Sequence, residues 1–369
     1  MAVSDAIMKS YQYDINTLAY GVRLDLNGTG QNWERIGNLS LHKTLPIQSK
    51  MRGCLLNADG SVNYYLSETS DLFKQDNVTV SILDGTDGDV MTEIPQHYTF
   101  EEIKDNYFYS WKSEFPLPGF KFIPKTYVAR YKGTVNRTTG QTRSIINNST
   151  TYRGGNNTSA WDGTSRSLLG ISATNLSRQT FNNGAKLNRN INWTIGRIPI
   201  NYIKSSLFTL EYATQNSQAT YNSQLTAEGY KQGGLGAGVT TLDSAKWGNY
   251  NSYNPFVPCG YTAEFGNGTG YKNFTMAFEY DAGWTAFKGL WNNSTIYNAN
   301  EFVADANDTS IGSGNGKLYK CILTAPAGTL LTNTTYFTLQ SRTVVQVNRY
   351  RGIEIPFGKT WNASKPFLS

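Results

Sequence analysis

The chain of 369 residues is long enough for two or three hydrophobic cores. With 39% hydrophobic, 13% aromatic and 16% charged residues, it is not a disordered chain, because such chains lack the apolar side chains that offset the entropy of ordering. A net charge of +6, from 33 Lys and Arg against 27 Asp and Glu, is spread without a basic run, so no nucleic-acid partner is expected.

Met1 to Gly21 holds no uninterrupted apolar stretch, which predicts neither a signal peptide nor a membrane span, hence no membrane insertion and synthesis in a cytoplasm. Residues 1–32 read as an N-terminal segment with a short helix. Ser4 is placed to cap it, and Ile7, Met8, Tyr11, Ile15 and Leu18 recur at helical spacing. That stripe packs either on the chain's own core or on a neighbouring subunit. From Trp33 onward the pattern changes to short strands with turn punctuation. Asn57-Ala58-Asp59-Gly60 separates Met51–Leu56 from Val62–Leu66. Val78, Val80 and Ile82 alternate with polar residues up to Asp84-Gly85 and Asp87-Gly88, and Val90, Thr92 and Ile94 follow, which predicts a β-hairpin. Glu114 to Phe120 contains Pro116 and Pro118 and should be an ordered aromatic loop.

Asn136 to Thr158 is almost wholly polar and small, which predicts an exposed loop or arm. Pro199 opens a helix in which Ile203, Leu207 and Leu210 share a face flanked by Phe208 and Tyr212. Phe274, Met276, Phe278 and Tyr280 alternate as a strand with one buried face, and Val344 to Tyr350 reads as another. Strands before, helices in the middle and strands after indicate α+β.

Residue chemistry argues against catalysis. The glycine-rich run Glu228 to Thr241 lacks the Gly-Lys-Ser/Thr ending of a phosphate loop and reads as structural. His42 and His97 are the only histidines and stand apart; Cys54, Cys259 and Cys321 have no close Cys or His neighbours. Structural histidines and buried apolar thiols are expected, with no metal and no cofactor. Glu101-Glu102 and Asp281 read as surface acids, and Asp305-Ala306-Asn307-Asp308 is too slight for a calcium cage.

An ordered series of motifs runs through the chain. It includes Arg35-Ile36-Gly37-Asn38, Met51-Arg52-Gly53-Cys54, Glu93-Ile94-Pro95, Pro118-Gly119-Phe120, Tyr152-Arg153-Gly154-Gly155-Asn156-Asn157 and Ala160-Trp161-Asp162-Gly163. Glu211-Tyr212-Ala213-Thr214-Gln215-Asn216, the glycine-rich run, Asn254-Pro255-Phe256-Val257-Pro258-Cys259-Gly260, Gly266-Asn267-Gly268-Thr269-Gly270, Arg349-Tyr350-Arg351-Gly352-Ile353-Glu354 and Pro356-Phe357-Gly358 complete it. Together, over Trp33 to Trp361 apart from one insertion, they resemble virion proteins of tailed phages and prophages of gut bacteria, of the kind called tail or fibre proteins. The resemblance implies a C-type-lectin-like core, the scaffold also used by formylglycine-generating enzymes, over residues 33–285 and 341–369. An irregular sheet, two helices and long ordered loops are then expected. It also implies a place on the particle surface, other virion proteins as partners and a homo-oligomer, with Ile7, Met8, Tyr11, Ile15 and Leu18 as candidate virion contacts. The enzyme branch of that fold relies on a close cysteine pair that this chain lacks, so no enzymatic activity is expected. Family members commonly follow Pro-Phe-Gly with a Trp-rich segment, whereas here Lys359-Thr360-Trp361 leads to Ser369.

The inserted block, residues 286–340, resembles the small chitin-binding-type carbohydrate modules. A Trp opens it at Trp291, Tyr297 precedes Asn298, Leu318-Tyr319-Lys320 forms a strand, and Tyr336-Phe337 stands where that pattern usually has Tyr-Trp. A small all-β domain is expected. Aromatic faces stack on pyranose C–H surfaces while neighbouring amides bind hydroxyls, so Trp291, Tyr297, Tyr319, Tyr336 and Phe337 are candidate sugar contacts. The same rings would also serve as the core of so small a domain. The expected function is therefore a virion component, a tail or head fibre, that presents a lectin-like surface to host surface polysaccharide. The alternatives are a purely architectural decoration protein and, third, a capsular polysaccharide depolymerase.

Overall fold

The structure is a computed structural model and describes residues 15–28, 33–136, 138–152, 178–190, 192–239, 257–275, 286–305, 317–340 and 344–356. Within them sheet dominates helix, in a mixed α+β arrangement. The first half contains α1 (Ile15–Leu18), β1 (Ala19–Asp25), β2 (Glu34–Gly37), α2 (Leu39–Thr44), β3 (Arg52–Leu56), β4 (Val62–Tyr65) and β5 (Asp89–Ile94). β6 (His97–Lys104), β7 (Tyr107–Ser113), β8 (Lys121–Ile123) and β9 (Thr126–Ala129) follow. These strands form two antiparallel sheets, ordered β2-β1-β7-β6-β8 and β4-β3-β5-β9. Asp105 and Asn106, both at positive φ, make the two-residue turn between β6 and β7. Such a turn matches the right-handed twist of the paired strands.

The β3–β4 hairpin forms as expected, with Gly60 at φ +89° and the Asp59 carboxylate accepting from Ser61 N at 2.8 Å. The hairpin expected from Val78 to Ile94 does not form. β5 pairs with β3 and β9, while Val78, Val80 and Ile82 are exposed. The Asp76 carboxylate accepts from the backbone of Val78 and Thr79 at 2.9 and 2.8 Å, and Lys74 N donates to Thr79 O. This local turn competes with ladder pairing.

The short helical turn α1 leads straight into β1. Ile15 and Leu18 pack on Ala19, Trp111 and Leu117, so these two residues of the expected attachment stripe dock on the chain's own core. Ile7, Met8 and Tyr11 lie outside the described residues. The expected loop at 114–120 is ordered: Leu117 is buried and Phe120 stacks on Phe100 at 5.6 Å.

Next in the chain are β10 (Thr134–Val135), β11 (Thr142–Arg143), α3 (Arg178–Lys186) and α4 (Ile198–Tyr212). The polar stretch from Asn136 is not simply exposed. Ser144 and Ile145 are buried, and Ser144 donates to Val90 O and accepts Tyr131 N through its hydroxyl. The rest of that stretch, from Arg153, lies outside the described residues. α4 begins with Pro199 in its first turn, where the missing N–H costs nothing. Its Leu207 and Leu210 are buried against Tyr20, Ile47, Met51, Ile94 and Val128, side chains drawn from both sheets. Each fully buried side chain of this size contributes roughly 1.5–3 kcal/mol. Phe208 and Tyr212 stack at 4.7 Å and meet Leu235 and Tyr350. Tyr20 OH donates to Gln48 Oε1 and Gln48 Nε2 to Leu207 O, which fixes β1 against α4.

The remaining strands are β12 (Gly270–Thr275), β13 (Phe287–Leu290), β14 (Phe302–Ala304), β15 (Leu318–Cys321), β16 (Phe337–Gln340), β17 (Val344–Tyr350) and β18 (Ile353–Glu354). β12, β17 and β18 form one antiparallel sheet, with Phe274 buried, while Met276 to Tyr280 lie outside the described residues.

A buried ionic centre ties this sheet to the β3 sheet. Asp71 Oδ1 accepts from Arg130 Nε and Nη2 at 2.9 and 2.7 Å; its Oδ2 accepts from Arg349 Nη2 and Tyr131 OH, both at 2.7 Å. Arg130 also donates to Thr92 Oγ1, and Arg349 to Gly266 O. Burial alone would raise the Asp71 pKa, but the two guanidiniums outweigh it and hold the carboxyl below its ordinary value. Glu354, also fully buried, is pushed up by burial against opposing hydrogen bonds from Thr262 and Gly260. The Arg130 guanidinium lies where no side chain could stand. A Cβ at Gly352, which has φ +82°, would sit 2.2 Å from its Nη1, and one at Gly53 2.7 Å from its Cζ.

Candidate functional site

The block expected at 286–340 has a sheet of its own, ordered β13-β14-β15-β16, with no strand from outside among the described residues. β13 and β14 run parallel, and the other pairs are antiparallel. Register partners share a face. Val303 lies opposite Tyr319, which lies opposite Leu339, and Cys321 lies opposite Phe337. That face buries a core of Tyr297, Val303, Cys321, Ala325 and Phe337. The Tyr297 and Phe337 rings meet edge to face at 6.0 Å, and Tyr297 OH accepts from Asn292 N at 2.7 Å. Tyr297 and Ala325 exchange two backbone hydrogen bonds, and Cys321 Sγ donates to Leu323 O at 2.9 Å.

This packing divides the candidate sugar contacts. Tyr297 and Phe337 are 2% and 1% exposed and present no face for stacking. Both are therefore core residues, because a sheet of short strands has no other large side chains to fill its interior. Trp291, Tyr319 and Tyr336 pack on the same core but remain half-buried. Trp291 is held by its Nε1–H, which donates to Thr329 O at 3.1 Å, and by its backbone N, which donates to Ala304 O. Thr329 was not singled out from sequence, since a backbone acceptor leaves no mark in residue type. Asn292, Asn293, Ser294, Asn333, Thr334 and Thr335 are exposed. The surface thus combines partly accessible rings, their orientation fixed by packing, with exposed amides and hydroxyls, of which Asn292 and Asn333 are held by accepting from Ser294 N and Thr335 N.

The other features weighed from sequence are structural. The glycine-rich run is an ordered loop through Val239: Gly233 and Gly236 adopt positive φ, and Ala237 N donates to Gln346 Oε1 at 2.7 Å. His42 Nε2 lies 3.0 Å from Ile36 O, and His97 Nδ1 lies 2.9 Å from Pro95 O. Burial lowers the pKa of each to about 4, so both are neutral at pH 7. The cysteines are buried and form no disulfide, and burial pushes the Cys54 thiol up to about 12. Glu101 lies 3.8 Å from the Lys112 ammonium, while Asp281 and Asp308 are outside the described residues. Among the described residues no cluster of His, Cys, Asp or Glu is arranged to hold a metal ion. None contributes a helix long and apolar enough to cross a membrane.

No protein-family model, curated protein or solved structure matches the chain.

Proposed function

We propose that the protein is a structural component of a tailed-phage particle, exposed on its surface as a homo-oligomer among other virion proteins, and that residues 286–340 bind host surface glycans. The observation that carries this reading is the set of three half-buried rings, Trp291, Tyr319 and Tyr336, seated on one rigid core amid exposed Asn, Ser and Thr. Rings supply stacking faces for pyranose C–H surfaces, and amides supply hydroxyl partners. Weak single sites gain affinity when several copies act together, which suits a repeated particle component. For the core the proposed scaffold is C-type-lectin-like. Its support is the division of the strands among small sheets, the ordered loops between them, and the return of β17 and β18 to Arg130 and Asp71.

The second reading, an architectural decoration protein without ligand, is favoured by the burial of Tyr297 and Phe337, which commits two of the five rings to packing. A glycan array probed with the full chain separates the two. Binding that falls about tenfold in Tyr319→Ala or Tyr336→Ala, in protein that keeps its fold by circular dichroism, is the expected result. Silence from the folded protein overturns the glycan-binding reading in favour of architecture. Shortened polysaccharide chains after incubation would instead indicate a depolymerase.

A further inference from the structure

A second candidate site opens at the edge of the core, away from the β13–β16 sheet. Between β1, β7 and α4 lies a cavity of about 250 Å³. Val22 and Ser110 line it and are register partners, so they project from one face of the sheet. Phe108, two residues before Ser110, lies on the same face. Trp33, just before β2, meets Phe108 edge to face at 5.8 Å. Across the cavity α4 contributes Tyr202, Ser206 and Thr209, whose spacing of four and three puts them on one helical face. Gln215 and Ser217 close it from the loop after the helix.

Three properties of the lining define what it accepts. No lining residue carries a charge, so an ionic ligand would lose its hydration with no counter-charge in return. Trp33, 7% exposed and with its Nε1–H buried without a hydrogen-bond partner and out of reach of the cavity, backs the wall rather than offering a donor. Among the described residues the side chains of Thr209, Gln215 and Ser217 also have no hydrogen-bond partner. The walls therefore alternate aromatic faces with unused neutral hydroxyl and amide groups. A purely apolar guest would gain nothing from those groups. The volume falls below the ~300–1,000 Å³ of pockets for drug-sized ligands.

We propose that this cavity binds one neutral sugar ring, its C–H face against Phe108 or Tyr202 and its hydroxyls on Thr209, Gln215 and Ser217. The inference does not depend on the reading of residues 286–340.

The test uses the purified full chain, saturation-transfer NMR and titration calorimetry. The probes are glucose, galactose, mannose and N-acetylglucosamine, with glucuronate as the charged comparator and cyclohexanol as the apolar one. At least one neutral sugar should bind in the millimolar range. Its affinity should fall about tenfold in Gln215→Ala and in Thr209→Val, which keeps the shape but removes the hydroxyl. It should be unchanged in Trp291→Ala, which keeps this site distinct from the other. Gln215 is exposed, so its variant remains informative if Thr209→Val does not fold. Absence of neutral-sugar binding by the folded chain overturns the proposal. Preference for glucuronate or cyclohexanol, or binding indifferent to Gln215→Ala, does the same.

Discussion

At the centre of the core, Asp71, Arg130 and Arg349 are each 0% exposed, both arginines donating to Asp71; in the 286–340 block the buried cluster is Tyr297, Val303, Cys321, Ala325 and Phe337, with no charged member. The two regions differ in what their interiors specify. A buried ion pair loses in desolvation much of what it gains in attraction, so its net contribution to stability is small. It does demand particular partners. Asp71 and Arg349 are 278 positions apart, and no other described side chain stands in for Asp71 between the two guanidiniums. The block works the other way: its rings stabilise directly by leaving water, and any residue of similar volume and shape would serve. The ionic centre thus fixes which loops meet, on top of the core's own apolar clusters, while the block relies on its rings for stability within a small sheet.

Removing one partner from the ionic centre should have the largest effect. Asp71→Asn leaves two guanidiniums buried against a neutral amide and should cost about 3–5 kcal/mol, read as a lowered urea midpoint. Hydrogen exchange should show peptides from β3, β5 and β17 losing protection while those from β14 to β16 keep theirs. A cost below about 1 kcal/mol would erase the distinction between the two interiors. The reverse experiment is Phe337→Ala, expected to cost about 3–4 kcal/mol from lost burial and the cavity left behind. Exchange should now rise in β14 to β16 alone. Phe337→Met, close in volume and uncharged, should recover most of that loss. No comparable neutral replacement is expected to rescue Asp71.

Much of this was legible in the sequence where local chemistry decides structure. The turn at Asn57 to Gly60, the helix opened by Pro199 and the strand Val344 to Tyr350 follow from turn residues and periodicity, and the structure contains all three. The Val78 to Ile82 alternation misled because an Asp76 turn, worth two backbone hydrogen bonds, was a closer competitor than any strand partner. The ionic centre was not legible as such, since its members are brought together only by the tertiary fold. Its traces were present: Arg349 continues the buried face of Val345 and Val347, and the motifs around Gly53 and Gly352 both end beside Arg130. Those motifs are explained here by packing around one guanidinium. In the block, residue types fixed which rings would matter but not which would be interior. That depended on register, which pairs Phe337 with Cys321 and turns it inward.

Acid should separate the two regions without any mutation. Both histidines, His42 in α2 and His97 in β6, belong to the core, and the block has none. Burial, opposed by hydrogen bonds to Ile36 O and Pro95 O, lowers each to about 4, whereas in the unfolded chain they titrate near the ordinary value of about 6.5. The unfolded state therefore takes up protons first, and stability present above about 6.5 is lost as pH falls toward about 4. At pH 5 each histidine should have cost about 2 kcal/mol relative to pH 8. The depressed Asp71 acts in a lower window: its contribution is intact above the ordinary carboxylate range and disappears only as pH falls through its own lowered value. In the block, burial would raise Glu301, but hydrogen bonds from Asn298 and the Lys288 ammonium together outweigh it and hold the carboxyl below its ordinary value, so it stays ionised between pH 7 and 5. Urea unfolding followed by hydrogen exchange at pH 8, 6.5 and 5 should show core peptides weakening and β14 to β16 unchanged. His42→Gln, which keeps a donor for Ile36 O, should remove about half of the slope. A core whose stability is flat over that range would mean that the histidines are protonated in the folded state, and that the neutral, tightly packed surroundings described for them are wrong.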